Sequence, residues 1–111
     1  MEIGVAKADG AVVIALTGDL ASREDQSALS GLVQQKLTAG ERVFVLDLSE
    51  VPYVSSLGIA ILVATHVNVT REGGKLRLVN PRGRVASVLR MIRVADMWTT
   101  YATVAEALSA N

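Results

Sequence analysis

Asp47-Leu48-Ser49-Glu50-Val51-Pro52-Tyr53-Val54-Ser55-Ser56-Leu57-Gly58-Ile59 carries the chain out of a strand, through a loop and into a helix. Just upstream, Val43-Phe44-Val45-Leu46 is an unbroken apolar run between Arg42 and Asp47. A strand without polar alternation has no face to give to water, so this run predicts the middle of a sheet covered on both sides. Downstream, the segment from Leu57 to about Arg71 is apolar nearly all round and closes at Gly73-Gly74. It predicts a largely buried helix with a glycine C-cap. Ser55 or Ser56 is the expected N-cap, its oxygen accepting a hydrogen bond from an orphan amide one turn into the helix. Because binding sites of open α/β sheets favour the carboxyl ends of strands, this junction is the candidate site.

The rest of the chain builds the same architecture. Ile3 and Val5 stand among Glu2 and Lys7, Asp9-Gly10 supplies a tight-turn signal, and Val12 to Leu16 is a second β-branched run, so the chain opens on a hairpin. Ser22 with Asp25 resembles a capping box, followed by Leu29, Leu32, Val33 and Leu37 at helical spacing and a stop at Gly40. Lys75 to Val79 reads as a fourth strand, Asn80-Pro81-Arg82-Gly83 as a loop, and Val85, Val88, Leu89 and Ile92 as the apolar stripe of a short third helix. Trp98 to Tyr101 is a short strand with Trp98 expected in the core, and Thr103-Val104-Ala105-Glu106 is a capping box opening a terminal helix. The alternation predicts a mixed α/β sheet with an N-terminal hairpin, about four helices and right-handed crossovers. At 111 residues, a single domain over 1–111 is expected.

Composition narrows the chemistry. The chain has no cysteine and one histidine, His66, and it lacks a G-x-S-x-G elbow and a Walker-type phosphate loop. Without a pairing of nucleophile and base, catalysis is not expected, and neither is a metal or cofactor. His66 reads as a surface or packed imidazole. No apolar run reaches the roughly 20 residues of a membrane span, and the first residues lack the pattern of a secretory signal, so a cytoplasmic protein without membrane insertion is expected. Asn68-Val69-Thr70 matches the glycosylation pattern only formally.

The net charge is zero, but residues 1–70 hold eight acids and four bases, whereas residues 71–111 hold three acids and seven bases. Arg71, Lys75, Arg77, Arg82, Arg84, Arg90 and Arg93 could form an anion-binding patch or simply be solvated faces. Nucleic acid is not an expected partner, because four aromatic residues in a neutral domain offer no basic stacking platform.

At the junction the chain resembles the STAS family, named for sulfate transporters and anti-sigma factor antagonists, and in particular its stand-alone bacterial members. The family pattern is a buried strand ending in Asp-x-Ser, a loop, then Asp-Ser-x-Gly-Leu or Ser-Ser-x-Gly-Leu entering a helix. Val43 to Ser49 matches the first part, and Val54-Ser55-Ser56-Leu57-Gly58-Ile59 matches the second without a gap. Gly18-Asp19-Leu20 and Ala105-Glu106-Ala107-Leu108 extend the likeness to essentially the whole chain. Three positions depart from it: Ser55 stands where many phosphorylated members have aspartate, Ile59 where leucine is usual, and Ala21 where aspartate is frequent.

The resemblance implies an anti-sigma factor antagonist. Its partner would be an ATP-dependent serine kinase that doubles as the anti-sigma factor, bound through Asp19, Leu20, Ser55, Ser56, Leu57 and Gly58. The family's phosphorylated serine falls on Ser56, and a serine phosphatase would restore the active form. Two other readings stay open: a non-phosphorylated scaffold or transporter-accessory subunit, and an anionic-ligand sensor using the loop before the second helix and the basic residues after Arg71.

Overall fold

Asp9 and Gly10 take φ of 52° and 79°, the left-handed pair of a two-residue hairpin turn. They join β1 (Glu2–Ala8) to β2 (Ala11–Thr17), which pair antiparallel from Ala8↔Ala11 to Glu2↔Thr17. The structure is a computed structural model and describes residues 1–91 and 99–110. Beyond the hairpin the chain runs through α1 (Arg23–Thr38), β3 (Val43–Glu50), α2 (Ser56–Arg71), β4 (Lys75–Val79), α3 (Gly83–Met91), β5 (Thr99–Tyr101) and α4 (Val104–Ser109). The strand order is β1-β2-β3-β4-β5, with every pair after the hairpin parallel.

β3 is central, as its unbroken apolar run requires. Phe44, Leu46 and Leu48 face the main core with Ile14, Leu16 and Leu78, against Leu29 and Val33 of α1, Ile61 and Leu62 of α2, and Val85 and Leu89 of α3. Val45 points the other way and packs with Ala11, Val79 and Ala107 of α4. Three helices thus cover one face of the sheet and α4 covers part of the other. Among the described residues, large side chains such as Phe44, Ile14, Leu16 and Leu62 are almost wholly removed from water, so hydrophobic burial carries the stability.

Helix ends follow the local signals. The Ser22 Oγ accepts from the Asp25 amide while the Asp25 carboxylate accepts from the Ser22 amide, completing the capping box of α1. At α4 the reciprocal bond is displaced by one residue. The Thr103 hydroxyl accepts from the Glu106 amide, but the Glu106 carboxylate accepts from Ala102 rather than from Thr103. α2 differs from expectation in its burial. Gly58, Ile61, Leu62, Thr65 and Val69 form its buried stripe, whereas Ala60 and Ala64 are exposed and Val67 is 48% exposed. In a domain this size a helix has neighbours on one side only, so an apolar sequence all round does not make a helix buried all round. Ile92, Arg93 and Trp98 lie outside the described residues.

Candidate functional site

The candidate site is assembled by two short segments that follow the parallel β2 and β3. The Gly18 amide donates to the Glu50 carbonyl, the Leu20 amide to the Tyr53 carbonyl, and the Ser55 amide to the Leu20 carbonyl. Leu20 and Val54 form an isolated parallel bridge. The sheet is therefore prolonged past a register shift between Ala15 and Thr17, and residues 18–20 lie beside residues 53–55. A chain separation of 34 residues is closed at Ser55, whose hydroxyl donates to the Ala21 carbonyl at 3.4 Å.

That hydroxyl also settles which serine caps α2. The Ser55 Oγ accepts from the Gly58 amide at 3.0 Å, with Ser55 in an extended conformation at the N-cap. Ser56 is the first helical residue and is exposed, and among the described residues its hydroxyl takes part in no hydrogen bond. Adjacent serines therefore have separate tasks: Ser55 holds the helix and the neighbouring loop, and Ser56 presents a hydroxyl to solvent at the positive end of the helix dipole.

Of the other residues singled out from the sequence, Asp19 is exposed and Leu57 half-buried, both beside the serines. Leu20 and Gly58 are both buried, beneath the exposed Asp19 and Ser56. Leu20 is 0% exposed because it anchors the loop in the core. Gly58 is buried because its Cα faces the Leu20 carbonyl, where a side chain has no room.

The start of α1 adjoins this arrangement. Asp25 accepts from the amides of Ala21 and Ser22, both at 3.0 Å, and the terminal ammonium of Met1 lies 3.8 Å from its carboxylate. The Ala21 amide above all, then the Ser22 amide, holds the Asp25 carboxyl below the usual carboxylate range. A network of Asp47, Ser49 and Asn80 fixes the end of β3. The Asp47 carboxylate accepts from the amide and hydroxyl of Ser49, and Asn80 donates to the Ser49 hydroxyl at 3.3 Å.

Two surface features escaped the sequence reading. Tyr53, 39% exposed, and Val88 of α3 border a cleft of about 300 Å³ that also includes Ser56 and Ile59. Val88 belongs to the apolar stripe by its period, but it sits at the rim: Val85 and Leu89 are buried and Val88 is half-buried. Tyr53 could have been noticed as an aromatic residue in a loop between two apolar elements. The proposed basic patch does not form as a unit. Arg77 is buried and donates to the Ala107 carbonyl at 3.1 Å, because β4 is interior and its long side chain reaches the end of α4. Arg71 lies at the opposite end of α2 and donates to Asn68. Arg82 and Arg84 remain exposed on the site's edge of the sheet. Among the described residues, no cluster of three or more potential metal ligands occurs, and no helix is long and apolar enough to cross a membrane.

Solved structures share this fold over nearly the whole chain. A candidate anti-sigma factor antagonist from Thermotoga maritima is 23% identical with a TM-score of 0.87, covering 96% of this chain and 91% of its own. An anti-sigma factor antagonist from Mycobacterium paratuberculosis is 25% identical with a TM-score of 0.82, covering 97% and 91%. The Bacillus cell fate determinant SpoIIAA, in its phosphorylated form, is 17% identical with a TM-score of 0.77, covering 96% of each chain. No curated protein sequence gives a significant match. The STAS domain profile matches residues 2–107, which include the hairpin, the two serines and the terminal capping box. The chain belongs to the STAS domain family.

Proposed function

We propose that the protein is an anti-sigma factor antagonist that docks on an anti-sigma factor serine kinase and is switched off by phosphorylation of Ser56. The observation that carries this reading is the division of labour between the two serines: Ser55 is committed to the cap and the Ala21 carbonyl, and Ser56 offers an exposed hydroxyl one residue on. The antagonists among the structural neighbours support the general role. The docking surface comprises Asp19, Ser55, Ser56 and Leu57, with Leu20 and Gly58 setting its backbone beneath.

In this mechanism the unmodified protein binds the kinase and releases the sigma factor. Transfer of the γ-phosphoryl group of ATP to the Ser56 oxygen then adds about −1.5 to −2 charges at the interface, which repels the partner and must be desolvated to stay there. The fold need not respond, because a phosphate at a helix N-terminus is electrostatically favoured. A metal-dependent serine phosphatase would reverse the step. The protein itself contributes no catalysis and acts in the cytoplasm.

The test is incubation with ATP and the cognate anti-sigma factor kinase, followed by mass mapping. Phosphate on Ser56 is expected. Phosphate on Ser55, or on neither serine, sinks the switch and favours a permanent scaffold or transporter accessory.

A further inference from the structure

We propose that the docking surface extends from Ser56 across to α3, where Arg82 and Arg84 form a basic rim that receives an acidic segment of the partner. The proposal rests on the antagonist reading above and adds the chemistry of the partner's contacting face.

The geometry is continuous from one helix to the next. The cleft beside Ser56 is lined by Tyr53 of the loop and by Val88 of α3. A second cleft, of about 380 Å³, begins at the same loop with Ser49 to Pro52 and is closed by Arg82, Gly83 and Arg84. Arg84 and Val88 are four residues apart on one helix and so share a face, which puts the arginine one turn from that apolar side chain. A protein segment docked on the two clefts is offered the exposed Ser56 hydroxyl, the apolar side chains of Tyr53, Ile59 and Val88, and two guanidinium groups.

The charge of this surface is unbalanced on the α3 side. Arg82 and Arg84 are exposed, and neither is in an ion pair among the described residues. α3 carries Arg84 and Arg90 and no acid, and Glu50 is the single carboxylate lining the second cleft. On the other side of Ser55 the exposed charges are Asp19, Arg23 and Glu24, two acids against one base, so the basic side of the surface is the α3 side. Among the described residues the α3 side thus holds two exposed arginines against one carboxylate, Glu50, beside the apolar cleft at Ser56, the pattern that complements an apolar side chain flanked by carboxylates. Phosphate on Ser56 would then act twice: it cancels the attraction of the rim, and it repels the acidic segment that the rim recruits.

The test uses the full chain and the isolated kinase that phosphorylates Ser56, with binding measured at low and at physiological salt. The double variant Arg82→Glu/Arg84→Glu should melt like the wild type, because both side chains are exposed, yet bind about tenfold more weakly at low salt with a flattened salt dependence. Arg71→Glu, at the far end of α2, should bind as the wild type and so excludes an effect of net charge. Unchanged affinity and salt dependence in the double variant overturns the basic rim while leaving the antagonist reading intact. A wild-type protein that neither binds the kinase nor is phosphorylated overturns both. Saturable binding of ATP or inorganic phosphate that the double variant loses would also overturn it, and would assign the arginines to a small anion.

Discussion

The Cα of Gly58 faces the carbonyl oxygen of Leu20 so closely that a Cβ at position 58 would collide with it, and with Val54 as well. The first turn of α2 is thereby pressed against the loop after β2, and the two halves of the site keep one fixed spacing. The obstacle is backbone, and the Leu20 carbonyl already accepts from the Ser55 amide. It cannot retreat without breaking that bond. Gly58→Ala is therefore expected to destabilise the fold by about 1–3 kcal/mol, the usual range for overpacking. Urea unfolding checks this: a lower midpoint with an unchanged slope is the expected result.

How much of this could be read from the residues varies from place to place. The turn at Asp9-Gly10, the capping box at Ser22 and the burial of β3 depend on local pattern, and local pattern sufficed. The choice between Ser55 and Ser56 as cap depends on where the chain enters the helix by a single residue, which spacing alone leaves undecided. The exposure of Val67 and the burial of Arg77 depend on which neighbours each face finds, a property of the assembled domain. Likewise, the pairing of Leu20 with Val54 joins segments whose sequences give no sign of each other.

Amide exchange should rank the strands by their place in the sheet. Val45 and Leu46 sit in a strand paired on both sides, at 0% and 1% exposure, whereas β1 is an edge strand with mostly exposed residues. Exchange in β3 is expected to require global unfolding, and exchange in β1 to proceed by local opening. Faster exchange at Val45 than at Val5 would contradict the central placement.

Asp25 should make stability fall in acid. Its carboxyl is held below the usual range by the amides of Ala21 and Ser22, so the folded state favours the charged form more than the unfolded state does. The sign follows from linkage: the stabilisation is complete above the unfolded value of about 4 and is lost as pH falls through the lower folded value. Asp25→Asn removes the charge at every pH. Denaturant unfolding of the two proteins should therefore differ near neutrality and converge below about pH 4, and a constant gap down to pH 2 would assign the effect to packing.

Ser55 and Ser56 are adjacent, and their substitution should separate stability from binding. Ser55→Ala removes the oxygen that accepts from the Gly58 amide and the donor to the Ala21 carbonyl, so a loss of about 1 kcal/mol is expected. Ser56→Ala touches neither bond and should stay within about 0.5 kcal/mol of the wild type. Ser56→Asp places a negative charge in the first turn of α2, where it is tolerated or stabilising by about 0.3–1 kcal/mol, so it should melt at or slightly above the wild-type temperature. Its affinity for the anti-sigma factor kinase should nevertheless collapse, because an uncompensated charge enclosed in an interface costs several kcal/mol. Thermal melts and kinase binding of the three variants together are the check. Ser56→Asp that melts normally and still binds tightly would show that charge at this helix start does not govern docking, whereas weak binding by a badly unfolded Ser56→Asp would contradict the placement of Ser56 on the surface.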